Sequence, residues 1–160
     1  MEHSRAQTYL FHGFTPEGLA LRSLLSRMTP ESKEFSDVLA GRLTGLDVTY
    51  PATDPNAHPL TGVRAPALAF TTTGTDLFAL LRADAYLLLD LTRQGVLTDR
   101  GEDRITVRGG ALDHVPDGWE GVRAALIRPD GHVAWARTEQ DDVKLAALVD
   151  VALTTALGRR

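Results

Sequence analysis

The chain has 160 residues, of which 43% are hydrophobic and 24% charged, with a net charge of −4; one ordinary globular domain of this size buries a core without staples. No basic stripe is present to neutralise phosphates, no apolar run is long enough to span a bilayer, and residues 1–14 hold no signal-peptide core. Nucleic-acid and membrane partners are thereby excluded, and a cytoplasmic protein is expected. Cysteine is absent, which removes disulfides, thiolate metal sites, cysteine nucleophiles and dithiol redox cycles. The only lysines are Lys33 and Lys144, against an abundance of arginine, alanine and leucine, a bias common in GC-rich bacterial genomes.

Residues 1–14 read as an unanchored lead, with Tyr9, Leu10, Phe11 and Phe14 tacked onto a neighbouring surface. Thr15-Pro16-Glu17 is a helix start, since threonine caps free amides, proline suits the first helical position and glutamate favours the dipole. Leu21, Leu24, Leu25 and Met28 follow on one face. Thr29-Pro30-Glu31 repeats the signal, and Phe35, Val38, Leu39, Leu43 and Leu46 form a second stripe before Gly45 stops the helix. The spacing predicts an antiparallel pair of amphipathic helices over 16–27 and 30–44, within a helical segment 1–46. Four prolines between residues 47 and 67 predict an extended connection without helical period.

The rest, residues 68–160, alternates. A short strand near Leu68–Phe70 leads through Thr73-Gly74-Thr75 into a helix carrying Leu77, Phe78, Leu80 and Leu81. Ala85–Leu91 is a nearly continuous apolar run, the pattern of a strand covered on both faces. Ile105–Val107 is another strand, and Val122–Ile127 with His132–Ala136 forms a hairpin around Pro129-Asp130-Gly131. Thr138 is placed as the cap of a final helix. Leu145, Leu148, Val149, Ala152 and Ala156 form its buried stripe, and Gly158 ends it. A parallel βαβ unit followed by an antiparallel ββα unit is a thioredoxin-like sandwich of the α/β class, here preceded by the helical pair. Where thioredoxins place CxxC, this chain reads Thr92-Arg93-Gln94-Gly95.

Few residues invite a chemical role. No G-x-G-x-x-G, G-x-S-x-G or Walker A pattern occurs, Gly109-Gly110 stands alone, and His3, His12 and His58 lack metal-site spacing. Asp113 and His114, adjacent in an extended chain, point opposite ways and make a poor base and orienter. No catalytic, cofactor-binding or metal residue is therefore assigned. Asp90, ending an apolar strand, is the candidate for a buried carboxylate, more readily a structural one satisfied by neighbouring donors. Trp135 is a candidate for stacking on an aromatic ligand or for packing at an interface. His132 beside it reads as a cross-strand surface residue, and Phe35, Val38 and Leu39 are interface candidates.

Ala125–Ala136, A-L-I-R-P-D-G-H-V-A-W-A, closely resembles the C-terminal signature of FAD-dependent aromatic-ring hydroxylases, above all those acting on bacterial aromatic polyketides. H-P-L-T-G-V-R-A-P (His58–Pro66), L-F-A-L-L-R (Leu77–Arg82), L-L-L-D-L (Leu87–Leu91) and G-L-D-V-T-Y-P (Gly45–Pro51) resemble further segments of that region in the same order, so the likeness covers about residues 15–157. The resemblance implies a stand-alone C-terminal region or an excised fragment without flavin or substrate domains, FAD belonging to the parent family and no cofactor to this chain. It further implies a non-catalytic accessory domain in antibiotic-type metabolism. The alternatives are a fragment of a complete FAD-dependent monooxygenase and a small cofactor-independent enzyme or aromatic-ligand-binding protein. The expected partner is a second copy, giving a homodimer, or a flavin-dependent hydroxylase, met through the apolar helices.

Overall fold

A computed structural model describes residues 2–71 and 74–158, with side chains from residue 5 onward. The chain divides into two compact units, residues 1–48 and residues 49–160.

The first unit holds three helices, α1 (Glu2–His12), α2 (Pro16–Met28) and α3 (Lys33–Thr44). The expected unanchored lead is thus a helix. Its end is held by Arg22 of α2, whose guanidinium donates to the Gly13 carbonyl at 2.8 Å and stacks over Phe14 at 5.3 Å, a tertiary tie that local periodicity does not reveal. Thr15 caps α2 as read, its side chain accepting from the Gly18 amide. The second start is displaced: Thr29–Glu31 forms a 3-10 turn, and Ser32 caps α3 by accepting from the Phe35 amide at 3.2 Å. Pro30 favours a turn, while the Ser32 hydroxyl offers the next free amides a better acceptor. Among residues 5–48 only Gly13 and Gly18 are buried, so no apolar side chain of the three helices is fully sequestered.

The second unit is a mixed α/β body. Its strands are β1 (Tyr86–Asp90), β2 (Ile105–Gly109), β3 (Ala124–Ile127) and β4 (Val133–Arg137), in the order β2-β1-β3-β4. β1 and β2 are parallel, with Leu88 opposite Val107. β1–β3 and β3–β4 are antiparallel, with Leu88 opposite Leu126 and Leu126 opposite Trp135. The apolar run of β1 is buried on both sides because the two faces serve two cores. Leu88 lies with Ile105, Leu126 and Leu145 under helix α5 (Asp142–Ala156). Leu87 and Leu89 lie with Leu68, Phe70, Leu77, Ile127 and Val133 beneath an irregular layer. Each fully buried leucine contributes about 2 kcal/mol of apolar burial.

Three expectations for this unit change. The strand near Leu68–Phe70 does not form; Ala69 and Phe70 make only single bridges, to Asp76 and Leu112. The following helix, α4, is one turn, Leu77–Leu80, capped by Asp76 and closed by the Arg82–Ala85 bridge, so no βαβ unit spans 68–91; Thr73 of the expected lead lies outside the described residues. The parallel pair is instead β1–β2, joined by the loop 91–104. Thr138 does not cap α5: Asp141 does, accepting from the Lys144 amide at 2.9 Å. A carboxylate three residues nearer the first turn satisfies the free amides that a distant hydroxyl cannot reach. Gly158, at φ +65, stops α5 as read.

Residues 49–66 belong to this body. Tyr50 N–H donates to the Gly62 carbonyl at 3.0 Å, Gly62 N–H to Val133 at 2.8 Å, and Val133 N–H to Val63 at 2.9 Å. The proline-rich segment therefore covers the outer edge of β4 at Val133. Gly62 has φ +85, and a Cβ there would sit 1.9 Å from the Tyr50 carbonyl oxygen. Gly62→Ala should therefore strip the strap from β4, lowering stability by about 2 kcal/mol or more in urea unfolding, where a compatible Gly→Ala change would stabilise.

Candidate functional site

Three places in the second unit bring chemically capable side chains together. The first is the end of β1. The last residue of the apolar strand, Asp90, is fully buried. Its Oδ1 accepts from the Thr92 amide at 3.0 Å and the Thr92 hydroxyl at 2.5 Å, and its Oδ2 accepts from the Leu97 amide at 2.7 Å. Thr92 Oγ1 in turn accepts from the Val96 amide at 3.1 Å. The carboxylate therefore winds residues 91–97 around itself, and both of its oxygens are engaged. A carboxylate so saturated organises a loop; a general base needs an oxygen aimed at a substrate.

The second place is the hairpin turn. Gly131 N–H closes onto the Arg128 carbonyl at 2.9 Å, a tight turn with proline and aspartate at its centre. Asp130 Oδ1 accepts from the His132 amide at 3.2 Å, and its Oδ2 pairs with Arg128 at 2.6 Å. Burial pushes the Asp130 carboxyl up, but the His132 amide and the Arg128 charge outweigh it and leave the carboxyl below its ordinary value. His132 is not the surface residue that strand alternation suggested; it is 6% exposed. Its ring meets Tyr50 edge-on at 4.9 Å, while the Arg128 guanidinium lies 4.5 Å from the same phenol ring. Tyr50, carried in by the proline-rich strap, thus covers a histidine that a bare hairpin would leave in water. The arrangement is a layered latch of Arg128, Tyr50 and His132.

The third place is a cleft of about 420 Å³ between α5 and the sheet. Tyr86 of β1, Leu126 of β3 and Trp135 of β4 line one side, and Leu148, Val151 and Ala152 of α5 line the other. The Arg137 guanidinium stands 5.6 Å from the Trp135 ring centroid, and its Nη2 is 4.0 Å from Asp54. The same charge, after burial, holds His58 below the ordinary histidine value. Sequence reasoning singled out Trp135 and missed Arg137, Tyr86 and Asp54. The signal for Arg137 was present, two residues along the strand from Trp135; the other two arrive from distant segments. Phe35, Val38 and Leu39 belong to the first unit, where Phe35 and Leu39 are half-buried and Val38 is 55% exposed.

Neither Gly109-Gly110 nor Asp117-Gly118 forms a cradle for a flavin nucleotide among the described residues. β2 runs into Gly109-Gly110, but single bridges and turns follow there, where a pyrophosphate cradle needs a helix N-terminus. Asp117-Gly118 closes a turn in which Trp119 N–H meets the Pro116 carbonyl at 3.0 Å. Among the described residues no group of three His, Asp or Glu converges on a metal position, and no helix is long and apolar enough to cross a membrane.

Residues 58–159 match the family described as aromatic-ring hydroxylase, C-terminal. The chain belongs to that family. The chain is 34% identical, over 149 residues, to an uncharacterized aromatic compound monooxygenase, YhjG, of Bacillus subtilis (strain 168), covering 85% of this chain and 28% of the relative. It is 33% identical to the 12-dehydrotetracycline 5-monooxygenase/anhydrotetracycline 6-monooxygenase of Streptomyces rimosus, over 84% of this chain and 27% of that protein. Among solved structures, BexE, studied for oxidation during BE-7585A biosynthesis, matches with a TM-score of 0.53 and 33% identity, over 81% of this chain and 27% of its own. The domain thus spans little more than a quarter of the relatives it matches. A match over 85% of the chain is longer than the second unit, so it reaches into the helices.

Two measurements test the polar anchors. Asp90→Asn keeps one acceptor but turns an amide NH2 toward the Leu97 N–H, so it should cost about 3 kcal/mol in denaturant unfolding, nearly as much as Asp90→Ala. For Asp130 the folded carboxyl lies below its unfolded value, so its contribution is present above the ordinary carboxylate range and is lost as pH falls through the folded value. Asp130→Asn should therefore lower the melting temperature slightly at pH 7, and the gap should close as the pH falls below the ordinary aspartate range.

Proposed function

We propose that this chain is a non-catalytic accessory domain of an FAD-dependent aromatic hydroxylase system acting on polyketide-type aromatic compounds. The observation that carries the reading is the family match over residues 58–159, to relatives of which this chain spans little more than a quarter. The strand order β2-β1-β3-β4, with β1 and β2 parallel and α5 across one face, supports reading the body as a thioredoxin-like sandwich from which the thiol chemistry is missing. The saturated Asp90 carboxylate supports a scaffolding role for the position at which that fold would start its reactive loop. The partner proposed is the flavin-bearing hydroxylase body, or a second copy of this chain, met through the helical unit. In support, Tyr9, Phe14, Leu21, Leu24 and Val38 of that unit are each more than 40% exposed, and apolar surface on that scale marks an interface.

The test has two arms. The chain alone, given FAD, NADPH and anhydrotetracycline, should retain no flavin through gel filtration and consume no NADPH above background. A chimera of the Streptomyces rimosus relative carrying residues 58–159 in place of its own matched segment should keep its FAD and its hydroxylation. Flavin-dependent turnover by the chain alone, or a chimera that folds and holds FAD but has lost its hydroxylation, would overturn the reading.

A further inference from the structure

We propose that the cleft between α5 and β4 is a binding site for a planar fused-ring aromatic acid. The hollow exists because Ala134 on the sheet and Ala152 on α5 are too small to fill the space between the two layers. Its volume of about 420 Å³ falls in the range of small-molecule sites, roughly 300–1,000 Å³, and gives room for two or three fused rings.

Its chemistry selects the occupant. Leu126 forms an apolar floor between the rings of Tyr86 and Trp135, both half-buried and both on the α5 side of the sheet. Aromatic walls around an apolar floor favour a flat π-system, by offset or edge contact worth about 1 kcal/mol per pair beyond the area covered. Arg137 is the one cation among the lining residues. One of its N–H groups is spent on the Ala136 carbonyl at 3.2 Å, and its nearest carboxylate, Asp54, stands at 4.0 Å, the outer limit of an ion pair. A guanidinium has five N–H donors in a planar fork that matches a carboxylate, so a ligand carboxylate can take up those that Asp54 holds only loosely. Val151, 65% exposed, supplies an apolar rim that a bound ring would cover. A protein helix does not suit a hollow closed on two sides by α5 and the sheet.

Anthraquinone-2-carboxylate is the probe, with 2-(hydroxymethyl)anthraquinone as its neutral counterpart, titrated into the full chain by calorimetry and by quenching of tryptophan emission. We expect saturable binding at one site per chain. Arg137→Gln should weaken the carboxylate at least tenfold and leave the neutral probe within twofold. Asp54→Asn, by removing the competing anion, should tighten the carboxylate alone. Ala152→Phe fills the hollow and should abolish both; if it fails to fold, Thr155→Trp, at an exposed rim position, applies the same block without touching the core. The absence of saturable binding, or binding indifferent to the blocking variants, would overturn the proposal. So would a Thr155→Trp chain that loses self-association while still binding the probe, since the cleft would then be a protein interface. Neither result bears on the family assignment.

Discussion

Everything in the second unit follows from covering β1 on both faces. A strand reading Tyr-Leu-Leu-Leu-Asp has no side that tolerates water, and a sheet of four strands needs a layer above and a layer below. α5 supplies one of these with regular structure. The other is assembled from pieces with little regular structure: the end of the strap and the coil after it (residues 60–70), the single turn of α4, and the loop around Leu112 and Trp119. Coil can serve as a layer only if its backbone groups find partners, and here they do, through the Gly62–Val133 and Ala65–Gly131 bonds and the bridges at Arg64, Ala69 and Phe70.

The polar groups sit where that construction has seams. Asp90 closes the strand at the point where the chain must leave the sheet and wrap back toward β2, and its carboxylate meets three donors that the loop would otherwise bury unpaired. The Tyr50, Arg128 and His132 cluster closes the opposite seam, between strap and hairpin. Both are neutral solutions to burial in the sense that no ligand is required. The cleft beside Trp135 differs, because its surface remains open and apolar.

What the sequence makes legible is whatever carries its own period or its own signature. β1, the hairpin strands and α5 all announce themselves by apolar spacing, and Ala125–Ala136 with its flanking motifs points to the family that residues 58–159 then match. What stays hidden depends on distant residues. Leu68–Phe70 looks like a strand because buried coil and buried strand share a composition; only the lack of a continuous ladder separates them. α1 is anchored by Arg22, which no local window contains. His132 is buried by Tyr50, some eighty positions earlier, so strand alternation alone leaves it exposed. Asp54 and Arg137 meet for the same reason and are equally unreadable from either neighbourhood.

The strap also sets the order in which the body can assemble on a ribosome. Its anchors lie far downstream: Arg64 reaches the Asp130 carbonyl across 66 residues of chain, and Gly62 and Val133 are tied over a comparable span. Contacts of such long separation form late, because loop closure precedes any gain from them. Until β4 emerges, the apolar strap and the Leu87–Leu89 face of β1 stand uncovered together in the nascent chain, and that interval is when this domain is most exposed to misassembly.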